Sequence, residues 1–255
     1  MKVAMTDMDI IWEQKEENKE QCLSMIKEAS EQKADVILFP EMTLTGFSMD
    51  VENIRDKKGE SIRFFSDLAK KIHIAIGFGY VTEEEKKGRN HFCFLDKEGR
   101  VSADYEKIHP FTYGGENRFY AGGKKLCHFS FEDFTCGLFI CYDLRFPEVF
   151  QSLPEATDVV FLIANWPKAR MEHWYTLLQA RAIEMQCYVV GINRIGEGNG
   201  IKYEKSSVTF SPEGKRLSEV EGERNRYIEI DRDSRLRYVE EFPTRKDRRP
   251  DIYFA

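Results

Sequence analysis

The chain has 255 residues, with 38 Lys and Arg against 44 Asp and Glu and a formal net charge of −6. That length allows one or two domains with a large buried core, and the acidic balance counts against nucleic acid as the main partner, because phosphate recognition needs a basic face. The N-terminus has no signal-peptide apolar stretch and no uncharged apolar run nears the roughly 18 residues of a membrane span, so a cytoplasmic protein with no membrane partner is expected.

Taken in chain order, residues 16–32 put Cys22, Leu23, Ile26 and Ala29 at helical spacing, and VILF (36–39) follows as a strand ended by Pro40. SIRFFSDLAKKI (61–72) is helical through Ile62, Phe65, Leu68, Ala69 and Ile72, and IHIAIGFGYV (72–81) and HFCFL (91–95) read as strands. Lys97-Glu98-Gly99 makes a hairpin turn into VSADYEK. CGLFI (136–140), VVFLIA (159–164) and CYVVGI (187–192) are apolar at successive positions, so they predict strands covered on both faces. Between the last two, residues 171–186 bring Trp174, Leu177, Leu178, Arg181, Ala182 and Met185 to one side of a helix. GEGNG (196–200) reads as a polar turn, since the Lys and Ser/Thr of a phosphate loop are missing. SSVTFSPEGKRLSEV predicts a hairpin turning at 211–214, and RYIEI a last strand before a short helix over SRLRYVEEF.

Helix-linked strands mixed with hairpins predict an α/β fold of two packed sheets with helices outside. No repeat or linker interrupts the chain, so one domain spans 1–255, with 243–255 as a docking tail. That tail has no core of its own, and Ile252, Tyr253 and Phe254 are expected to dock on another surface. The basic run TRKDRRP within it holds an acid and a proline, which suits a solvated or docking segment better than a nucleic-acid arm.

The chemistry is concentrated at strand ends. In GLFICYDLRFPE (137–148) the chain turns from apolar to charged at Cys141, which places that thiol where a core strand surfaces. Glu41 follows VILF and Pro40, and Lys107 ends SADYEK. A thiol to attack, a carboxylate to move protons and a cation to steady developing negative charge are the parts of a nucleophilic site. His109 offers a rival Cys-His dyad, but Pro110 sets a turn beside it and no orienting acid is evident beyond Glu106, so a structural imidazole is the better reading. Cys136 lies five positions from Cys141 and points to the opposite face. The six scattered cysteines read as reduced thiols. Without CxxC or HExxH, neither a metal nor another cofactor is expected.

The motifs FPEMTLTGFSM, YEKIHPF and ICYDLRFPE, in that order, resemble the Glu-Lys-Cys triad of the nitrilase superfamily of carbon–nitrogen hydrolases. The likeness continues through LIANWPKARMEHWYTLLQARAIE and YVVGINRIG, and the bacterial omega-amidase branch is the most similar. It implies a four-layer αββα sandwich, a homodimer or higher homo-oligomer, and a small amide of the 2-oxoglutaramate or 2-oxosuccinamate type as substrate. It also implies Glu41 as general base, Lys107 as the oxyanion-side cation, Cys141 as nucleophile and the Tyr142 N–H as a second oxyanion donor. A second family glutamate falls at Glu116, as a positioner. Thr43, Leu44 and Met185 depart from the forms expected in such relatives and bear on the substrate. An N-carbamoyl-amine or other aliphatic amide hydrolase with the same triad is the alternative, and an inactive interaction protein is a further one that the intact triad opposes. A substrate carboxylate needs a local cation. Arg118, Lys168 and Arg170, with Trp166 nearby, are the candidates, while Arg145 is expected to pair with Asp143 or Glu148 and brace its loop.

Overall fold

The computed structural model describes residues 1–253. The first half of the chain runs β1 (Lys2–Thr6), α1 (Lys15–Glu31), β2 (Val36–Leu38), α2 (Val51–Ile54), α3 (Glu60–Ile72), β3 (Ala75–Glu84), β4 (Lys87–Leu95) and β5 (Val101–Glu106). The second half continues with β6 (His128–Phe131), β7 (Phe134–Ile140), α4 (Pro147–Gln151), β8 (Val159–Ala164), α5 (Met171–Met185) and β9 (Tyr188–Asn193). After these come β10 (Gly196–Gly198), β11 (Ile201–Tyr203), β12 (Val208–Phe210), β13 (Val220–Glu221), β14 (Asn225–Glu229), α6 (Arg232–Glu241) and α7 (Pro250–Tyr253). Seven strands form one sheet in the order β13-β14-β1-β2-β3-β4-β5, and five form another in the order β12-β9-β8-β7-β6.

The central strands of each sheet are buried on both faces, which explains the uninterrupted apolar runs. Along β1 and β2, Val3, Met5, Val36 and Leu38 point between the sheets, where they meet Leu138 and Phe161 of the second sheet. The alternate residues Ala4 and Ile37 face outward onto Cys22, Ile26 and Ala29 of α1 and Phe65 and Ala69 of α3. Phe65 stacks on Phe78 with ring centroids 4.1 Å apart. On the far side α5 lays Trp174, Leu178, Ala182 and Met185 against the second sheet. Each large side chain buried this way contributes roughly 1.5–3 kcal/mol. The layers are therefore helix, sheet, sheet, helix.

Some boundaries differ from the pattern reading. Ile72 satisfied both the helical and the strand pattern, and the helix keeps it: His73 adopts φ 61° and caps α3 through its N–H to the Ala69 carbonyl, so β3 starts only at Ala75. The turn at 211–214 forms, but its returning arm makes only an isolated bridge between Phe210 and Arg216. The tail is anchored by polar contacts. Buried Arg245 donates to the Leu153 carbonyl and Arg248 to that of Gln151, while Ile252 and Tyr253 stay exposed. Phe254 lies outside the described residues. Met185 is core, and Thr43 and Leu44 are buried within the loop after β2.

Two sets of neighbouring strands run in one direction, and β5, joined to β3 through the antiparallel β4, points the same way as β3. β1, β2 and β3 are parallel, as are β7, β8 and β9. Ligand sites in such sheets form beyond the carboxyl ends of the strands.

Candidate active site

The three predicted residues Glu41, Lys107 and Cys141, and with them Asn165, lie at or just past strand ends. Glu41 lies three residues past β2, Lys107 is the residue after β5, Cys141 the residue after β7 and Asn165 the residue after β8. The backbone is forced into the left-handed region at Cys141, with φ 46°, and at Met42, the neighbour of Glu41, with φ 49°. Such conformations cost about 1–3 kcal/mol each and persist only where the surroundings impose them. At Cys141 the result is a sharp turn from β7 into a 3₁₀ helix over Cys141–Arg145.

Glu41, Lys107 and Glu116 form one buried cluster. The Lys107 ammonium donates to Glu41 Oε1 at 3.0 Å and to Glu116 Oε1 and Oε2 at 3.1 and 2.9 Å. Asn90, on β4, also donates to Glu41 Oε1 at 2.7 Å. The other Glu41 oxygen accepts from the Asn165 N–H at 2.9 Å, and the Asn165 amide donates to the Glu41 carbonyl at 2.6 Å. Glu116 is held further by the Phe111 N–H. Glu41 is thus locked in one orientation by groups from both sheets.

The electrostatics follow from this packing. Burial pulls the Lys107 ammonium toward its neutral form, but Glu116 and Glu41 outweigh it and hold the pKa well above its usual value. Burial pushes Glu116 up, with Lys107 opposing. Burial also raises the Cys141 thiol well above the ordinary range, Glu41 adds to the rise, and Lys107 acts against it. The resting group is a neutral thiol.

Lys107, Cys141 and Asn165 floor a cleft of about 460 Å³, with Glu41 and Glu116 buried behind it. Phe47, Phe111, Tyr142 and Trp166 supply aromatic walls, and Ile201 and Tyr203 of the β10–β11 hairpin form the far rim. Trp166 is fixed by its N–H to Asn193 Oδ1 at 2.7 Å and by its indole N–H to the Arg170 carbonyl at 2.8 Å. Besides Lys107, two guanidiniums line the cleft. The Arg145 guanidinium lies 4.9 Å from the Trp166 ring centre, and that of Arg170 lies 5.5 Å from Phe111. Among the described residues neither pairs with a carboxylate, and Arg145 Nη2 meets only His173 Nδ1 at 3.2 Å.

This changes the reading of the cations. Arg145 does not brace its loop through Asp143 or Glu148; it faces the cleft, because Asp143 is already saturated by other donors. Lys168 is outside the lining and pairs with Glu204 at 3.0 Å. Arg118 is exposed and away from the cleft, and of the candidate cations only Arg170 lines it. His109 does have an orienting acid: its Nδ1 is 2.8 Å from Asp143 Oδ1. Its ring stacks on Phe146 and does not line the cleft, which fits the structural reading.

Asn165 and Asn90 escaped the pattern reading. Asn165 carries the same signal as Cys141, a polar residue straight after a buried run. Asn90 sits between Arg89 and His91 and looks in sequence like part of a solvated strand end.

The family described as carbon–nitrogen hydrolase matches residues 2–238. The 2-oxoglutaramate amidase of Bacillus subtilis (strain 168) is 30% identical over 259 residues, covering 98% of this chain and 98% of that protein. Omega-amidase YafV of Yersinia enterocolitica is 31% identical over 250 residues, covering 97% and 96%. Among solved structures, XC1258 from Xanthomonas campestris, a CN-hydrolase superfamily protein with an arsenic adduct in its active site, is similar with a TM-score of 0.91 at 25% identity, over 98% of this chain and 97% of that one.

Proposed function

The chain belongs to the carbon–nitrogen hydrolase family and is an amidohydrolase, and on that footing we propose that it hydrolyses the terminal amide of a small 2-oxo dicarboxylic acid amide, of the 2-oxoglutaramate or 2-oxosuccinamate type, to acid and ammonia. The observation that carries the reading is that Lys107 and Cys141 line a cleft, with Glu41 buried behind them against the Lys107 ammonium, and that the two guanidiniums lining the same cleft have no carboxylate partner among the described residues. The names of the relatives agree with it.

In this reading the amide carbonyl lies between Cys141 and Lys107. Because the thiol rests protonated, its attack is coupled to proton transfer: Glu41 takes the proton as the carbon–sulfur bond forms. The oxyanion is met by the Lys107 ammonium and the Tyr142 N–H, one of the first N–H groups of a 3₁₀ helix and so without a partner inside it. Glu41 returns the proton to the nitrogen as the carbon–nitrogen bond breaks, and ammonia leaves a thioester on Cys141. Water, deprotonated by Glu41, attacks the thioester; the acid is released and the sulfur regains its proton. Glu116 positions Lys107 throughout. Arg145 and Arg170 hold the substrate carboxylate, with Trp166 as the apolar backing of that contact.

We also read the enzyme as cytoplasmic and homodimeric, with the 243–255 tail docking on the second copy. The support is that Phe242, Ile252 and Tyr253 are exposed in the single chain, and that no described helix is long and apolar enough to cross a membrane. Light scattering of the purified protein checks the oligomer.

The central test is mass spectrometry of enzyme quenched during turnover of the acidic amide. An acyl adduct on the peptide containing Cys141 is expected. An adduct on Cys136 or Cys187, or near-parent turnover by Cys141→Ser, overturns the reading.

A further inference from the structure

Between the segments carrying Lys107 and Cys141 lies a carboxylate that the proposed chemistry does not use. Asp143 is fully buried. Its Oδ1 accepts from the His109 backbone N–H at 3.0 Å and faces His109 Nδ1 at 2.8 Å. Its Oδ2 accepts from the Tyr105 hydroxyl at 2.8 Å and the Ile140 N–H at 3.1 Å. A fully buried carboxyl group needs such a set of hydrogen-bond donors.

The positions of those donors carry the argument. Tyr105 and His109 stand two residues to either side of Lys107, so the segment bearing the ammonium is gripped on both flanks. Ile140 and Asp143 likewise bracket Cys141, whose backbone is held in the left-handed region. The Lys107 backbone continues its own sheet through the Asn90 carbonyl at 2.8 Å, but that ladder says nothing about where the second sheet lies. Asp143 joins the two directly. On the far side of the turn, His109 lies flat against Phe146, with centroids 3.9 Å apart and planes 14° apart.

We propose that Asp143 is a positioning residue, with Tyr105 and His109 as its arms, that sets the Lys107 ammonium at the separation from Cys141 at which both meet the reacting carbonyl. The proposal rests on the roles given above to Lys107 and Cys141. Loosening an arm leaves the cleft walls intact, since neither Tyr105 nor His109 lines them, and so acts on the chemical step and not on substrate binding. The His109 contact needs only a donor at the Nδ1 position, which an asparagine amide supplies at the same number of bonds from the backbone.

The test is steady-state ammonia release by full-length His109→Ala, His109→Asn and Tyr105→Phe, each confirmed folded by circular dichroism, with Lys107→Ala and Cys141→Ser alongside. Asp143→Asn is included, but the conclusion does not depend on its folding. His109→Ala is expected to lose about 100-fold in kcat, the effect of a misplacement of about 1 Å, with KM changed by no more than about 2-fold. His109→Asn recovers most of that loss, and Tyr105→Phe falls in between. The proposal is overturned if folded His109→Ala and Tyr105→Phe turn over like the parent, if the loss appears in KM, or if His109→Asn is no better than His109→Ala. Parent-like turnover by Lys107→Ala or Cys141→Ser is a separate result: it removes the reading of the site itself, and the positioning role with it.

Discussion

Replacing Lys107 by Met keeps all but the last atom of the side chain's length and removes the charge between two buried carboxylates. In the parent, the ammonium sits 3.0 Å from Glu41 and 2.9 Å from Glu116. Without it, Glu41 still accepts from Asn90 at 2.7 Å and from the Asn165 N–H at 2.9 Å. Glu116 keeps the Phe111 N–H and a longer contact from Asn90 at 3.4 Å. Glu116 is therefore the carboxylate that takes up a proton. Stripping one partner from a buried ion pair costs about 3–5 kcal/mol, and protonation relieves part of it. The pH dependence has a definite sign. Burial already holds the Glu116 pKa above its usual value, and losing Lys107 raises it further in the folded state. A carboxyl whose folded pKa is raised contributes stability that is fully present below its unfolded pKa, about 4.3, and loses it as pH rises through the folded pKa. The deficit of Lys107→Met relative to the parent should thus be smallest in acid and grow toward neutral and alkaline pH. Urea unfolding of both proteins from about pH 5 to about pH 8 reads this out. Adding Glu116→Gln to Lys107→Met should flatten the dependence and restore stability. A variant as stable as the parent throughout, or one whose deficit shrinks as pH rises, refutes the argument.

Three further outcomes are expected. Arg145→Met should weaken binding of an acidic amide by about 1.5–3 kcal/mol, the range for a hydrogen bond to a charged group, and leave a neutral amide of similar size unaffected; equal effects on both in competition assays would remove Arg145 from carboxylate recognition. Gly79→Ala should leave the fold in place yet cut kcat by about 100-fold, because a Cβ there would come within 2.4 Å of the Met42 nitrogen and 2.8 Å of the Glu41 Cα and must displace the base; unchanged kcat would show that the loop has slack. Burial and Glu41 keep the Cys141 thiol protonated at neutral pH, so ultraviolet titration comparing the parent with Cys141→Ala should show no thiolate below the ordinary thiol range, and thiolate absorbance near neutrality would contradict the coupled attack.

The chain disclosed its layers and the strand ends well, because a strand buried on both faces writes its length as an uninterrupted apolar run. It disclosed Glu41, Lys107 and Cys141 for a related reason: a polar residue straight after such a run stands out, and the motifs around these three resembled a known family. The same rule applied at Asn165 and was overshadowed by the neighbouring Trp166. What stayed hidden depends on contacts between segments far apart in sequence. Asp143 looked like a partner for nearby Arg145, but two of its donors arrive from Tyr105 and His109. That occupancy is what frees Arg145 for the cleft. Lys168 misled in the opposite way, since local sequence gives no sign of Glu204 waiting across the rim.

The Asn165 N–H reaches Glu41 across 124 positions of sequence and from the opposite sheet, and this makes turnover a gauge of assembly. In the proposed mechanism neither half of the chain is a partial catalyst: Glu41 and Lys107 come from one half, Cys141 and Asn165 from the other. A refolding intermediate with both sheets formed but not yet joined would show much of the native far-ultraviolet signal and release no ammonia. Contacts of such long range form slowly, since the loop must close before they reward it. Recovery of activity should therefore lag recovery of secondary structure, and under mild denaturant the order should reverse, with catalysis lost before the strands melt.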